Sequence, residues 1–201
     1  MKKKRVAILI SGRGSNMEAI VREAQSGVLH ECCDPVLVVS STPDAPGLAV
    51  ARAMGVETRV LSSRPLRRAA LDAALVALLE PYRIDYVVLA GFMRILGTQM
   101  IRRYRDRIVN VHPADTRLFR GIGGYEWAWE SRLETTMITV HLVDEGVDTG
   151  HILAQAPVSL KGVESREELE RRGLAVEHQL YSRVLRGLFT AADTGSDAPK
   201  A

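Results

Sequence analysis

The chain has 201 residues, of which 46% are apolar and 25% charged, the balance of an ordinary globular protein. This length is usual for one large domain, and the composition excludes a collagen-like or disordered chain. A net charge of +3 weakly favours anionic ligands but does not indicate nucleic acid, and 5% aromatic residues leave few rings for stacking on bases. No apolar run approaches the ~20 residues that a membrane-spanning helix requires.

The N-terminus is basic, but it does not have the pattern of a signal peptide. Lys2–Arg5 precede only the short apolar run Val6–Ile10, so we expect a cytoplasmic protein. The two cysteines, Cys32 and Cys33, are neighbours in the chain. Adjacent cysteines rarely pair, and two thiols alone do not make a metal site, so we expect a buried or half-buried pair at the start of a strand.

Short apolar segments alternate with amphipathic ones along the chain. The elements predicted in chain order are a strand (Arg5–Ile10), a helix (Asn16–Ser26), a strand (Pro35–Ser40), a short helix, a strand (Glu57–Leu61), a helix (Pro65–Glu80), strands at Tyr86–Ala90, Ile108–His112, Thr135–Val143 and Ile152–Leu160, and a last helix (Ser165–Leu188). Pro65 suits a first helical position, and Ser165 with Glu168 forms a capping box. We expect one domain over residues 1–190 and a flexible tail over 191–201.

This order of elements predicts an α/β protein with a three-layer, doubly wound, mostly parallel sheet. Strands that are apolar throughout are buried on both faces, and helices between them supply the covering layers. The last two strands are consecutive, so the sheet is expected to be mixed. Ligands of such sheets bind beyond the carboxyl ends of the strands, which directs attention to residues 11–16, 90–94, 110–123 and 144–150.

The first of these loops, Ser11–Asn16, lies between a strand and a helix. Its two glycines allow the backbone to approach a ligand, and the N–H groups of the helix N-terminus then face an anion. The loop lacks the Gly-Lys-Ser/Thr of a Walker A motif and the third glycine of a dinucleotide fingerprint. It is therefore either a phosphate-binding loop for a single phosphate or a tight turn capped by Ser15 or Asn16.

The second loop follows a buried strand and carries Asn110 and His112. Residues two apart on a strand face the same side, so the amide and the imidazole project together. Such a pair suits the negative charge that develops on oxygen at a reacting carbonyl carbon. The alternative is a polar pair that only bonds to the adjacent loop.

The third loop, Asp144–Gly150, has three carboxylates among its residues. Their spacing does not match an EF-hand calcium loop. The loop is either a solvated turn or the source of a catalytic carboxylate, and a carboxylate near His112 would raise the pKa of the imidazole.

Five motifs occur in one order along the chain: Ile10–Asn16, Val88–Leu96, Asn110–Pro113, His141–Gly150 and Glu177-His178. In this order and spacing they resemble the folate-dependent formyltransferases, most closely the members that act in purine biosynthesis. The resemblance covers nearly the whole chain, from Val6 to about Phe189, and it implies the formyltransferase-like form of the fold described above.

The resemblance implies transfer of a formyl group from 10-formyltetrahydrofolate, a co-substrate, to the amine of 5′-phosphoribosylglycinamide, with no metal. It implies a catalytic set of Asn110, His112 and Asp148. It implies that the acceptor is bound by Gly14, Ser15, Asn16 and Glu177. The folate pocket would be lined by Arg68, Met93, Arg94, Ile95, Leu96, Asp144, Glu145, Gly146 and Val147. The implied partners are small molecules only, with neither nucleic acid nor membrane, for a monomer or homodimer.

One segment departs from the family pattern, which has prolines and a histidine after His112-Pro113. Here residues 114–123 contain neither, and Gly123 stands where the histidine is expected. Without the prolines the loop should be more mobile. We expect formyl-transfer chemistry to survive this change, with a lid that closes over the ribonucleotide and Arg117 and Arg120 supplying contacts.

Five other functions are alternatives to this interpretation. A formyltetrahydrofolate hydrolase usually carries a preceding regulatory domain, and a transfer-RNA formyltransferase an additional C-terminal domain; the first strand begins at Arg5 and the chain ends soon after the last helix, so neither is expected. A formyltransferase acting on another amine is a further alternative. A non-enzymatic nucleotide-binding module would have no use for Asn110, His112 and Asp148, and the incomplete glycine fingerprint argues against a nicotinamide dehydrogenase.

Overall fold

The computed structural model describes residues 2–62 and 67–191 of the protein and contains a sheet of seven strands. The order across the sheet is β3-β2-β1-β4-β5-β6-β7. The strands are β1 (Lys4–Ile10), β2 (Cys33–Ser40), β3 (Glu57–Val60), β4 (Tyr86–Leu89), β5 (Ile108–His112), β6 (Thr135–Leu142) and β7 (Ile152–Ser159). The first five are parallel, and β6 and β7 are antiparallel to their neighbours. The predicted mixed, mostly parallel sheet is confirmed.

Helices cover both faces of this sheet. They are α1 (Ser15–Ser26), α2 (Pro46–Ala53), α3 (Arg68–Leu79), α4 (Thr98–Arg103), α5 (Gly124–Glu130) and α6 (Arg166–Ala191). Successive side chains of β1 point to opposite faces. Val6 and Ile8 pack in one apolar core with α1, α2 and α6, whereas Ala7 and Leu9 pack in a second core with α3 and α4. The predicted three layers are therefore confirmed.

The predicted strands all form, and their ends lie within two residues of the prediction. Helix α3 begins at Arg68 among the described residues; Pro65, where a start was predicted, lies outside them, and Glu80 belongs to a 3-10 turn. Helix α6 continues to Ala191, which was assigned to the tail, and residues 192–201 also lie outside the described part. Helices α4 and α5 were not predicted, because segments of six and seven residues show too little apolar periodicity.

Two local predictions are confirmed by the contacts. The Ser165 hydroxyl accepts a hydrogen bond from the Glu168 backbone N–H at 3.2 Å at the start of α6, which confirms the Ser165 half of the capping box, whereas the Glu168 carboxylate accepts from the Glu164 N–H. Cys32 and Cys33 are buried free thiols where β2 begins, and burial raises the pKa of both. Within residues 2–62 and 67–191, no helix is both long enough and apolar enough to cross a bilayer.

The strand order places a topological switch point between β1 and β4. The chain leaves β1 towards β2 and β3 and then returns to add β4 on the other side. The loops after β1 and β4 consequently meet: the Ser11 N–H donates to the Gly91 carbonyl at 3.1 Å, and the Met93 N–H donates to the Ser11 hydroxyl at 2.9 Å. A crevice opens at this edge, as expected for such sheets.

Candidate active site

A cavity of about 490 Å³ lies at the carboxyl ends of β4 and β5, and it contains the three side chains predicted to be catalytic. Asn110 and His112 project from the same face of β5, as the spacing predicted. Asp148 reaches them from the loop after β6. One carboxylate oxygen lies 3.3 Å from the Asn110 Nδ2 and the other 3.5 Å from the His112 Nδ1. The structure therefore brings Asn110, His112 and Asp148 together.

Asp148 is held in place by its backbone and by two glycines. Its φ of 49° lies in the left-handed region, which aspartate tolerates better than most residues. The Gly121 N–H donates to its Oδ2 at 2.8 Å. At Gly150, two residues further on, a Cβ would overlap the Leu142 carbonyl, so the loop can turn back against β6 only with glycine there.

His141 is a second histidine at Asp148, and sequence reasoning assigned it no role. Its Nε2 lies 3.4 Å from the Asp148 Oδ1 and 3.2 Å from the Asn110 Nδ2. Its Nδ1 lies 2.8 Å from the Leu142 carbonyl, which can only accept, so Nδ1 carries a proton. His141 lies opposite Asn110 in the antiparallel register of β5 and β6, and the sequence does not reveal that register.

Burial and hydrogen bonding set the charge of these groups. Burial raises the pKa of Asp148, but hydrogen bonds from His141 and the Gly121 N–H, with the charges of both histidines, lower it further, so the net shift is downward. Burial lowers the pKa of His112 by more than Asp148 raises it. The carboxylate therefore raises the pKa of His112 as predicted, but burial makes the net shift downward. Its Nε2 donates to the Phe119 carbonyl at 3.1 Å.

The walls of the cavity are mainly apolar side chains that lie open to solvent. Met93, Ile95, Ile122 and Val147 are all exposed, with Ile122 81% accessible. Exposed apolar side chains around a concave site mark a surface that a ligand covers. Seven of the residues predicted to contact folate line this cavity: Met93, Arg94, Ile95, Leu96, Asp144, Gly146 and Val147.

Two of the predicted folate contacts, Arg68 and Glu145, do not line the cavity. The Arg68 guanidinium instead bonds to backbone behind its wall. Its Nε donates to the Leu96 carbonyl at 3.0 Å, and its Nη2 lies 3.5 Å from the Glu145 carbonyl. Arg68 therefore joins the loop after β4 to the loop after β6, an arrangement that five donors on one planar group permit.

The residues predicted to bind the acceptor lie beside the cavity rather than in its wall. Gly14 is the N-cap of α1 with a φ of 77°, and no side chain caps this helix, so the alternative of a cap by Ser15 or Asn16 is wrong. A Cβ on Gly14 would lie 3.1 Å from the Gly47 Cα. The Asn16 Nδ2 donates to the Glu177 Oε2 at 2.5 Å, which joins α1 to α6.

The segment that departs from the family is anchored over its first half. Ala114, Asp115 and Thr116 are buried. Arg117 forms a bidentate ion pair with Asp115, at 2.9 and 2.7 Å, and the Arg120 Nε donates to the Thr116 carbonyl at 2.7 Å. These contacts hold the first half of the loop together, and the greater mobility expected from the loss of the prolines stays a prediction. Arg120 thus bonds within the loop, whereas Arg117 also donates to the Gln155 Oε1 of β7 at 3.2 Å.

The described residues include no group of three or more side chains arranged to hold a metal ion. The arrangement is instead that of a site for acid–base and electrostatic catalysis. An amide donor, two imidazoles and a carboxylate meet at one end of an apolar cavity, beside a glycine loop at a helix N-terminus.

Comparisons with known proteins agree with this arrangement. The Formyl transferase family profile matches residues 4–185. The chain is 37% identical over 185 residues to the trifunctional purine biosynthetic protein adenosine-3 of Drosophila melanogaster, covering 92% of this chain but only 14% of that protein. It is 31% identical to the phosphoribosylglycinamide formyltransferase of Bacillus subtilis, covering 97% of this chain and 100% of that protein.

The fold is also that of a solved member of the family. The crystal structure of phosphoribosylglycinamide formyltransferase from Bacillus halodurans superposes with a TM-score of 0.88 at 36% identity, covering 94% of this chain and 97% of that one. The family match spans well over half of the sequence and includes every strand of the sheet. The chain belongs to the formyl transferase family.

Proposed function

We propose that this chain transfers a formyl group from 10-formyltetrahydrofolate to the amine of 5′-phosphoribosylglycinamide, a step of purine biosynthesis. The observation that carries the proposal is the meeting of Asn110, His112 and Asp148 in one cavity. The relatives named above support the choice of acceptor, since the Bacillus subtilis protein is a phosphoribosylglycinamide formyltransferase matched over its full length.

The cavity fits the formyl donor. The donor carries a partly aromatic pterin ring system, which the exposed apolar side chains Met93, Ile95 and Val147 can cover. The loops after β4 and β6 offer backbone groups to the polar edge of the ring, and Arg68 holds these loops together. The formyl group would then lie at the end of the cavity that contains Asn110.

The reaction uses the substrate amine as the nucleophile, so the protein needs no covalent intermediate. The amine nitrogen attacks the formyl carbon, a C–N bond forms, and an electron pair moves to the formyl oxygen. The proton lost by the amine moves, through water ordered by Asp148, to N10 of the folate. The C–N10 bond then breaks, and the products are the formylated ribonucleotide and tetrahydrofolate.

Asn110 and His112 stabilise the charge that develops on the formyl oxygen. The Asn110 Nδ2 lies within hydrogen-bond distance of Asp148 and of the His141 Nε2, so one of its two N–H groups must leave these partners to donate to the formyl oxygen. The N–H on the His112 Nε2 is bonded to the Phe119 carbonyl in this state, so the formyl oxygen must take the place of that carbonyl. Asp148 favours the charged form of His112 as negative charge develops nearby.

The proposal is tested with purified protein and 10-formyltetrahydrofolate by following release of tetrahydrofolate with and without the ribonucleotide. We expect release only when the ribonucleotide is present. Turnover without any acceptor would contradict the proposal and would identify a hydrolase. Turnover only with another amine would leave the transfer chemistry but overturn the acceptor.

Other parts of the proposal concern the setting of the enzyme. We propose a cytoplasmic location, which agrees with the two free thiols, because structural disulfides are rare in that compartment. We also propose that residues 1–190 form one domain, that its partners are small molecules, and that it is a monomer or homodimer.

A further inference from the structure

Tyr125 lies in the first turn of α5, directly after the altered loop, and contacts α6. Its hydroxyl donates to the Glu177 Oε1, while the Glu177 Oε2 accepts from Asn16. Glu177 is 4% exposed. Both oxygens of the carboxylate predicted to bind the acceptor are therefore bonded to the protein's own side chains.

A missing side chain in α6 makes room for the tyrosine ring. Gly173 lies one turn before Glu177, and a Cβ at that position would overlap the ring of Tyr125. Burial raises the pKa of Tyr125, so its hydroxyl keeps the proton that it donates. Gly173 thus forms a notch in α6 in which Tyr125 is held against Glu177.

The groups around this notch are those that a sugar phosphate requires. A carboxylate with two acceptor oxygens suits adjacent hydroxyl groups, each of which donates one hydrogen bond. The Asn16 Oδ1 is buried and has no hydrogen-bond partner among the described residues. Arg13, in the glycine loop, forms an ion pair with Glu170 of α6. Tyr125 therefore donates to Glu177 as a sugar hydroxyl would, and the Glu170 carboxylate pairs with Arg13 as a phosphate would.

We propose that Tyr125 determines the specificity of the acceptor site, because its hydroxyl occupies the place on Glu177 that a sugar hydroxyl of the acceptor takes. An acceptor with a ribose replaces this hydrogen bond with its own, and the ring leaves the Gly173 notch. A small amine without hydroxyl groups cannot make the exchange, so it leaves the site closed. This inference rests on the proposed function for the identity of the acceptor.

Substitution of Tyr125 by phenylalanine tests the exchange. The variant Tyr125→Phe keeps the ring but removes the competing donor, so the KM for the ribonucleotide should fall about tenfold, the scale of one hydrogen bond to a charged group. The KM for 10-formyltetrahydrofolate should not change. The matched control is Tyr82→Phe, because the Tyr82 hydroxyl donates to Glu57 at 2.6 Å on the surface away from the cavity.

A second variant removes the ring from its notch and keeps the hydroxyl. Gly173→Ala places a methyl group where the Tyr125 ring lies, and it should also lower the KM for the ribonucleotide. Its control is Gly187→Ala in the same helix, where no atom lies within 4 Å of the added Cβ. If Tyr125→Phe fails to fold, as judged by its melting curve, Gly173→Ala decides the question.

Calorimetry with ribose 5-phosphate provides a measurement that does not depend on catalysis. We expect tighter binding to Tyr125→Phe than to the wild type. If that result appears in a protein that transfers no formyl group, the proposed function fails and the role of Tyr125 stands. If transfer occurs but the KM and the ribose 5-phosphate affinity are unchanged or weaker in both variants, Tyr125 is a packing residue or a direct contact, and the inference is overturned.

Discussion

Asp148 is the residue through which the polar groups of the cavity act together. It contacts Asn110, His112 and His141, and each imidazole has its other nitrogen bonded to a backbone carbonyl. The carbonyls at Phe119 and Leu142 fix a proton on one nitrogen of each ring, and Asp148 faces the other nitrogen, which donates to the carboxylate only when the ring carries a second proton. One carboxylate therefore contacts two rings and an amide.

Removal of the Asp148 charge should therefore affect turnover more than binding. We expect Asp148→Asn to lower kcat by roughly 10²-fold or more, the scale of positioned acid–base catalysis, with small changes in both KM values. Steady-state kinetics would measure this. Asp106→Asn is the matched control, because Asp106 has a similar left-handed φ of 57° and does not line the cavity. Near-normal kcat in Asp148→Asn would show that the carboxylate only shapes the turn.

At the residue scale, sequence reasoning was strong where spacing alone decides direction. Asn110 and His112 are two apart on one strand, so their common face was predictable. The state of His112 was not, because its pKa depends on how deeply it is buried, and the prediction included only the carboxylate. His141 was quoted in a motif but received no role, since its contact requires the register of β6 against β5.

Among the elements, the turn between β1 and α1 depends on one glycine. Gly14 has a left-handed φ of 77°, and a Cβ added at this position would lie 3.1 Å from the Gly47 Cα. Any other residue there strains the backbone and moves the N–H groups that would face a phosphate.

Substitution of Gly14 should therefore weaken ribonucleotide binding while folate binding survives. We compare Gly14→Val with Gly55→Val, because Gly55 has a similar φ of 79° but no atom within 4 Å of an added Cβ. Both variants should lose ~1–2 kcal/mol of stability from the left-handed backbone. Only Gly14→Val should bind the ribonucleotide more weakly in calorimetry. Equal loss of both ligands in Gly14→Val would mean that the variant misfolds.

The ion pair in the altered loop should make the stability of the protein depend on pH in the acid range. The hydrogen bonds from Arg117 lower the pKa of Asp115 from 3.8 to about 2. A lowered carboxyl pKa contributes stability that is present above the unfolded value and lost as the pH falls through the folded value. The Tm difference between the wild type and Asp115→Asn should therefore shrink between about pH 4 and pH 2. A difference that stays constant over this range would show that the ion pair does not stabilise the loop.

The strands were predictable at this scale because each is a short apolar run with clear ends. The loop that follows β5 was not, since its contacts are particular to this chain. Its lack of proline predicted mobility, but Asp115 is buried and bonds to Arg117, which substitutes for the missing backbone constraint. The sequence pattern shows the loss of proline but does not reveal the ion pair between Asp115 and Arg117.

Over the whole molecule, the two sides of the candidate site are assembled from distant parts of the chain. The glycine loop follows β1, the amide and imidazole follow β5, and Glu177 lies in the last helix. The contact of Asn16 with Glu177 spans 161 positions in the sequence. The sequence predicted the class of the sheet but not the order of its strands. Contacts between distant segments could therefore be inferred only from the family resemblance.

The half-buried His178 should make the stability of the molecule depend on pH near neutrality. Burial lowers the pKa of His178 on α6, although Glu18 raises it slightly, and its Nε2 has no partner among the described residues. A lowered pKa costs stability as the pH falls below the unfolded value of 6.5, because the unfolded chain then binds the proton first. We expect Tm of the wild type to fall relative to His178→Gln between pH 7 and pH 5. Parallel Tm curves for the two proteins would contradict this.

We propose that the formyl carbon moves directly to the amine of the acceptor. This is measured with 10-formyltetrahydrofolate carrying carbon-13 in its formyl group and with the ribonucleotide present, by following the label with NMR. We expect the label to appear as a formamide on the ribonucleotide, in equal amount to the tetrahydrofolate released, and we expect Asp148→Asn to slow this signal. Label that appears as free formate would contradict it.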